Sequence, residues 1–354
     1  MTDSTMPCPL ELRQVHKSFD NVSAVNGIDL RLEPGEVHAL VGPSGCGKST
    51  LLRTIAGLLS IDSGEIALAG ELVDNGKDRR PPEARSAGLV FQEHALFPHL
   101  TVYDNVAFGL RDLGSTDRLR RVNDMLGLVD LGEHAKRYPH ELSGGERQRV
   151  ALARALAPDP AIMLFDEPFA SLDPNLRTQL RHDVVGVLKA TKTAAVFVTH
   201  DQREALSIGD RISVMKHGRI IQLGTPERIF HHPVNTFVGA FMGPASFLDI
   251  KVSADGTPQT ALGPLELAGH TPGQACAMVR PDDVRFESDP TGPAEITLTD
   301  YTGTHWLVSA QLQDGGEVKF LTSHLDSLKV GDRGNLKLLE GHPQVLVATH
   351  KSPS

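Results

Sequence analysis

The sequence predicts a two-domain protein, in which an α/β domain with a parallel sheet is followed by a small all-β domain. Two observations carry this prediction. Short apolar strands alternate with long helical patterns up to about residue 243, as in a sheet with helical crossovers. Beyond that point, short strands alternate with turns rich in glycine, proline and aspartate, which is typical of a small barrel. We therefore place the domains at residues 1–243 and 244–354.

Length, composition and charge narrow the function classes. The 354 residues fit two domains, and 40% apolar and 22% charged residues are ordinary for globular proteins. The formal charge is −9, whereas proteins that neutralise nucleic-acid phosphates are usually basic. Acidic residues are concentrated in the second domain, with 14 acids and 8 bases from Ala245 onward against 30 and 27 before it. Because the chain as a whole is acidic, we expect no nucleic-acid partner.

The chain carries no pattern typical of a membrane span, a signal peptide or a metal site. No apolar run approaches the roughly 20 residues of a spanning helix, and the first residues lack basic and apolar leader segments. Cys8, Cys46 and Cys276 are too far apart for a disulfide framework or a metal spacing. His231 and His232 are interpreted as a surface turn, and we expect a cytosolic chain.

A glycine-rich segment between a predicted strand and a predicted helix is the first candidate site. The spacing is G-x-x-x-x-G-K-[ST], in which backbone N–H groups and the helix N-terminus cradle phosphate oxygens. Lys48 can then reach the β- and γ-phosphates of a nucleotide, and Ser49 can ligate Mg²⁺. Cys46 is interpreted as a small filler, with a redox role as the alternative. The predicted nucleotide-binding segment is Gly42, Pro43, Ser44, Gly45, Cys46, Gly47, Lys48, Ser49 and Thr50.

A second candidate element is an apolar run, residues 161–165, that ends in Asp166 and Glu167. The run is typical of a buried parallel strand, whose carboxyl end is where ligands bind in open α/β sheets. At that position Asp166 can hold Mg²⁺, and Glu167 can act as the general base for an attacking water. A strand ending in solvated carboxylates is the alternative.

Residues 142–149 read Leu-Ser-Gly-Gly-Glu-Arg-Gln-Arg, which resembles the signature sequence of ATP-binding-cassette (ABC) ATPases. Ser143, Gly144 and Gly145 open a predicted helix, and its N-terminus is a second anion site. The resemblance covers about residues 1–240. It implies a P-loop NTPase cassette with a RecA-like core and a helical subdomain. It also implies a head-to-tail homodimer in which Ser143 and Gly145 of the second copy complete each ATP site.

The same resemblance assigns roles to four further residues. Phe19 stacks on adenine, Gln92 touches Mg²⁺ or water, and Asp173 lies in a loop that crosses the dimer interface. His200 contacts the γ-phosphate and orients Glu167. The implied catalytic residues are therefore Glu167, His200, Gln92 and Lys48, and the implied metal-binding residues are Ser49, Gln92 and Asp166.

The second domain resembles the TOBE-type barrel, an OB-like fold, of bacterial import ATPases, most clearly in residues 278–284 and 301–303. The resemblance implies an ATPase bound to two separate membrane permease subunits on the cytoplasmic face of the plasma membrane. A periplasmic or lipoprotein solute-binding protein would be an indirect partner. Residues 94–106, 166–169 and 188–200 favour the iron(III) and polyamine import group, with ferric iron first. Sulfate, phosphonate and sugar import, a non-transport cassette and a regulatory binding module remain alternatives.

Overall fold

Two sheets form the centre of the first of two units. The structure is a computed structural model that describes residues 7–91, 95–170, 173–252, 257–264, 275–339 and 345–348. The chain divides into two compact units, Met1–Pro226 and Glu227–Ser354. The first unit has the predicted α/β architecture, with a mainly parallel sheet and helical crossovers, and the second unit is β-rich as predicted.

The larger sheet of the first unit has six strands in the order β10-β9-β3-β8-β7-β6, parallel except for β10. Its strands are β3 (Val37–Val41), β6 (Ala87–Val90), β7 (Ile162–Asp166), β8 (Ala194–Thr199), β9 (Arg211–Lys216) and β10 (Arg219–Gly224). The smaller sheet is antiparallel, in the order β2-β1-β4-β5. Its strands are β1 (Leu10–Phe19), β2 (Val22–Leu32), β4 (Ser63–Leu68) and β5 (Glu71–Asp74).

The central strands of the parallel sheet are buried on both faces. Leu164 and Val196 pack with the first helix and the antiparallel sheet, whereas Phe165 and Phe197 pack with the helices on the other face. The two phenylalanine rings are stacked, with centroids 4.1 Å apart. Because neither face meets water, these strands consist almost entirely of apolar residues, which is why the sequence predicted them well.

Helices connect the parallel strands and form a subdomain between β6 and β7. The helices of the described chain are α1 (Lys48–Ile55), α2 (Val102–Ala107), α3 (Ser115–Leu128), α4 (Gly144–Leu156), α5 (Pro174–Thr191), α6 (Gln202–Ile208), α7 (Pro226–His231) and α8 (Thr236–Phe241). None of them combines the length and the apolar character needed to cross a membrane. Short 3₁₀ turns occur at Pro82–Ala84, Gly132–His134, Pro139–Glu141 and Pro281–Asp283.

The second unit is built on a five-stranded sheet in the order β16-β20-β17-β18-β19. Strands β16 and β19, the two ends of that order, also approach each other, so the sheet curls towards a barrel. Two three-stranded sheets, β11-β15-β21 and β12-β13-β14, complete the unit. The strands are β11 (Ser246–Asp249), β12 (Lys251–Val252), β13 (Pro258–Thr260), β14 (Gly263–Pro264), β15 (Ala275–Val279), β16 (Val284–Ser288), β17 (Ala294–Tyr301), β18 (His305–Leu312), β19 (Glu317–Ser323), β20 (Arg333–Leu338) and β21 (Val345–Ala348).

Arg280 joins the segment around α7 and α8 to the strands of the second unit. Its guanidinium is buried and donates hydrogen bonds to the backbone oxygens of Phe230, Gly239, Gly243 and Pro244, at 2.9 to 3.1 Å. The same group stacks 4.1 Å from the centre of the Phe230 ring. These bonds explain why the second unit begins at residue 227, before α8, whereas the domain boundary at 243/244 stays a prediction.

We expect Arg280→Lys to lower the free energy of unfolding of the second unit by about 2–4 kcal/mol, because an ammonium cannot reach four carbonyls in a planar fork. The chain has one tryptophan, Trp306, which lies in this unit. Its fluorescence during urea unfolding therefore reports on this unit. Arg285→Lys, at an exposed position, is the matched control. Equal midpoints for the two variants would contradict the structural role of Arg280.

Candidate functional site

The loop between β3 and α1 fits its surroundings only if certain positions are glycine. Gly47 has a φ of +106°, and a Cβ atom there would lie 1.9 Å from the backbone oxygen of Ala24. A Cβ atom on Gly42 would lie 2.3 Å from the backbone oxygen of Met215. The loop is therefore held close against neighbouring backbone, and the spacing of its glycines is a steric requirement.

Lys48 and Cys46 lie inside this loop. The Lys48 ammonium donates to the backbone oxygens of Gly42 at 2.8 Å and Pro43 at 3.2 Å, so its charge sits within the curve of the loop. The Cys46 side chain is buried, and burial raises the pKa of its thiol. A protonated thiol is a poor nucleophile, which favours the interpretation of Cys46 as a filler over a redox role.

Ser49 and Asp166, which are 117 residues apart, form a hydrogen bond. The Ser49 hydroxyl donates to Asp166 Oδ1 at 2.8 Å, and the Arg53 guanidinium lies 3.6 Å from Asp166 Oδ2. Ser49 lies in the first turn of the helix after β3, and Asp166 ends β7. Two hard oxygen donors meet beside the phosphate-type loop, and this donor chemistry fits a magnesium ion bound to a nucleotide. The sequence did not predict Arg53 as a neighbour of Asp166, because this basic residue on α1 belongs to no recognisable motif.

Glu167 and His200 form a second pair. Glu167 Oε2 and His200 Nδ1 lie 3.0 Å apart, and because a carboxylate only accepts, the imidazole nitrogen donates. Glu167 has a φ of +48°, a conformation that costs a non-glycine residue about 1–2 kcal/mol. Its N–H donates to the Val198 oxygen at 3.0 Å, and its backbone oxygen accepts from Ala170 N at 3.2 Å. The backbone thus holds Glu167 in a strained position facing His200.

Ser143 begins α4, as predicted. Its hydroxyl accepts from the N–H of Glu146 at 3.3 Å, and the Glu146 carboxylate accepts from the N–H of Ser143 at 2.7 Å, which is a capping box. These bonds to Ser143 hold the pKa of the Glu146 carboxyl below its ordinary value. Gly144 and Gly145 occupy the first turn of α4, where backbone N–H groups have no partner within the helix itself.

The remaining predicted residues lie on separate elements. Phe19 ends β1 and is 44% exposed, and the Lys17 ammonium lies 5.6 Å from the centre of its ring. Asp173 is exposed just before α5. Gln92 lies outside the described residues. Within one chain, the structure therefore brings together the loop, Ser49 and Asp166, and separately Glu167 and His200.

Comparisons with known proteins give consistent matches. The family described as "ABC transporter" matches residues 25–170, and the family described as "TOBE domain" matches residues 277–346. The chain is 41% identical to the "Fe(3+) ions import ATP-binding protein FbpC 2" of Rhodococcus jostii, over 94% of this chain and 98% of the relative. It is 44% identical to the "Sulfate/thiosulfate import ATP-binding protein CysA" of Burkholderia mallei, over 78% of this chain and 80% of the relative.

A solved structure also resembles the chain. It is the "Dimeric structure of a post-hydrolysis state of the ATP-binding cassette MJ0796 bound to ADP and Pi". The two share 30% identity with a TM-score of 0.53, over 61% of this chain and 98% of that chain.

We expect Gly47→Ala to weaken ATP binding by about tenfold or more, or roughly 1.4 kcal/mol, because the loop must move away from Ala24 to admit a Cβ atom. Titration calorimetry with ATP measures the affinity. Gly127→Ala in α3, where a Cβ atom meets open space, is the control and keeps the affinity of the wild type. An unchanged affinity in Gly47→Ala would remove the loop from the nucleotide site.

Proposed function

The chain belongs to the ABC transporter family as the ATP-binding subunit of an import system, and we propose that its hydrolysis of ATP drives the uptake of ferric iron. The observation that carries the catalytic part is that two bonded pairs of side chains contain the adjacent residues Asp166 and Glu167. Ser49 of α1 bonds Asp166 at the end of β7, and Glu167, the next residue, bonds His200 after β8. This arrangement supports a phosphate site with a general base next to it.

In the proposed mechanism, the loop at 42–50 binds the phosphates of ATP and Phe19 stacks on its adenine. Lys48 turns from the loop oxygens towards the β- and γ-phosphates, since its charge already lies within the loop. Ser49, Asp166 and Gln92 would hold Mg²⁺, which when bound offsets phosphate charge. Glu167 accepts the proton of the attacking water. His200 holds Glu167 through its Nδ1 atom, and we propose that the same imidazole contacts a γ-phosphate oxygen.

We further propose that two copies of the chain enclose two ATP molecules. Ser143 and Gly145 lie at the N-terminus of α4, and a helix N-terminus favours the binding of an anion such as the phosphate of ATP. The dimeric state named for the similar cassette supports this arrangement. ATP then favours the closed dimer, and hydrolysis returns the open one. This difference in affinity between two states is the source of the work done on the transporter.

The permease partners are proposed to contact the α2–α3 face, which we define by Phe108, Leu113 and Leu119. These side chains are 39%, 42% and 50% exposed, and the Arg111 guanidinium lies 4.5 Å from the centre of the Phe108 ring. Leu113 also lines a groove of about 900 Å³ whose lining includes both acidic and basic side chains. Exposed apolar groups rimmed by charges are typical of protein interaction sites. The chain would accordingly work at the cytoplasmic face of the plasma membrane.

Ferric iron is favoured over the other solutes by the length of the match. The iron import relative is similar over 98% of its own length, whereas two sulfate import relatives are similar over 80% and 94% of their lengths. Sulfate import is the second candidate because one of its relatives has the higher identity, 44% against 41%. The solute would bind to the permeases and to a solute-binding protein, so no side chain of this subunit is assigned to it.

We expect Glu167→Gln to retain ATP binding and to lower turnover by about 10²–10⁴-fold, because an amide cannot accept the proton of water. Bound ATP then persists, and size-exclusion chromatography with ATP should show a stable dimer. Steady-state phosphate release measures turnover. Glu227→Gln changes an exposed acid that is distant in sequence from the pair, and this control keeps turnover. Normal phosphate release by Glu167→Gln would exclude Glu167 as the base.

Removal of the gene from its host is expected to abolish uptake of radioactive iron(III) and to leave sulfate uptake unchanged, because each import system has its own permeases. The wild-type gene restores iron uptake, whereas the Glu167→Gln variant does not. Permeases that co-purify with the tagged chain from detergent-solubilised membranes identify the partners directly. Loss of sulfate uptake with normal iron uptake would replace iron by sulfate as the solute.

A further inference from the structure

A closed ring of three hydrogen bonds surrounds the turn that carries His200. The Thr199 hydroxyl donates to Glu204 Oε2 at 2.7 Å. The Glu204 N–H donates to Asp201 Oδ1 at 3.1 Å. The Asp201 N–H donates to the Thr199 hydroxyl oxygen at 3.0 Å, which closes the ring. The ring therefore joins the last residue of β8 to the first turn of α6.

His200 lies inside this turn, between two members of the ring. Its imidazole bonds Glu167, so it remains directed to the catalytic pair. On the other side, the N–H of Glu167 donates to the oxygen of Val198, two residues before His200. Both partners of the pair are thus anchored on the carboxyl end of β8. Any shift of the Thr199–Asp201 backbone changes the distance between the imidazole and the carboxylate.

Glu204 is an acid in a buried position, where the charged form of its carboxyl is disfavoured. The residue is 5% exposed, and burial raises the pKa of its carboxyl. The bond from the Thr199 hydroxyl opposes this rise, as do Arg181 and Arg177 of α5, whereas Asp201 adds to it. An acid at the third position of a helix usually accepts from the N–H of the capping residue. Here the Thr199 hydroxyl oxygen accepts from that N–H and donates its own proton to Glu204, so the acid acts through Thr199.

We propose that Glu204 is a positioning residue for ATP hydrolysis, which fixes Thr199 and Asp201 and thereby holds His200 against Glu167. The proposal rests on the proposed function, because it takes the Glu167–His200 pair as the hydrolytic pair. Glu204 touches neither ATP nor water in this role. Its contribution is to the rate of the chemical step and not to the binding of the nucleotide.

The test compares the steady-state ATPase kinetics of Glu204→Ala and Thr199→Val with those of the wild-type chain. We expect each variant to lower kcat by about tenfold or more, because small displacements of catalytic groups are costly. The KM for ATP and the calorimetric affinity should stay within about twofold of wild type. The double variant should be no slower than the slower single variant, since both remove the same ring.

Two further variants separate positioning from general stability. Glu204→Gln keeps an oxygen that accepts from the Thr199 hydroxyl, and we expect it to restore kcat to within about twofold of wild type. Arg203→Ala alters an exposed neighbour on the same helix, and it should leave kcat unchanged. Thermal denaturation is measured for every variant. If Glu204→Ala is poorly folded, Thr199→Val tests the same ring.

The proposal is overturned if the folded ring variants keep wild-type kcat, or if ATP affinity falls together with kcat. It is also overturned if the two single losses add in the double variant. Failure of the proposed function has a different outcome: Glu167→Gln then retains normal turnover, or the wild-type chain hydrolyses no ATP. The effect of Glu204→Ala is read only against a wild type and a Glu167→Gln variant that behave as expected, so the two failures are distinct.

Discussion

The parallel pairing of β3, β8 and β7 is the constraint on which the rest of the catalytic unit depends. Val41 pairs with Thr199, and Asp166 pairs with Val198, so the three strands end at the same edge of the sheet. The groups that follow these strands in sequence therefore meet in space. The phosphate-type loop follows β3, the acidic pair ends β7, and His200 follows β8. A shift of β8 by one residue would turn its side chains to the opposite face and separate His200 from Glu167.

Burial on both faces of this sheet explains which features could be predicted from the sequence. Such strands are short, continuous apolar runs. The strand predicted before the glycine-rich segment is β3 (Val37–Val41), and the run predicted at 161–165 is β7, displaced by one residue. The ABC resemblance deduced from residues 142–149 was also confirmed. In the second domain, β16 is hard to distinguish in the sequence, because only the short Pro281–Asp283 turn separates it from the apolar run of β15.

Other features depend on contacts that no local pattern encodes. Arg53 lies near Asp166 only because α1 and β7 pack together. Arg280 belongs to the recognisable stretch 278–284, but nothing in the sequence indicates which four carbonyl oxygens accept its hydrogen bonds. Likewise, the glycine at 47 can be predicted from the motif, but its reason is the backbone oxygen of Ala24 on a separate strand. Ser49 and Asp166 were predicted separately, from local motifs, to bind Mg²⁺, and the contact between His200 and Glu167 was implied by the family resemblance. Their distances are properties of the folded sheet.

Two helix starts in this unit show how similar local chemistry can serve different purposes. At α4, the acid at the third position returns to the N–H of Ser143 and closes a local capping box. At α6, the N–H of the capping residue Asp201 donates to the Thr199 hydroxyl, so Glu204 is not needed to accept it. Its carboxyl instead bonds the last residue of β8. Glu204 is therefore a buried acid whose carboxyl takes no part in capping and instead fixes the end of β8. We explain this use by the need to hold His200, which lies between Thr199 and Glu204 in the sequence, in one place.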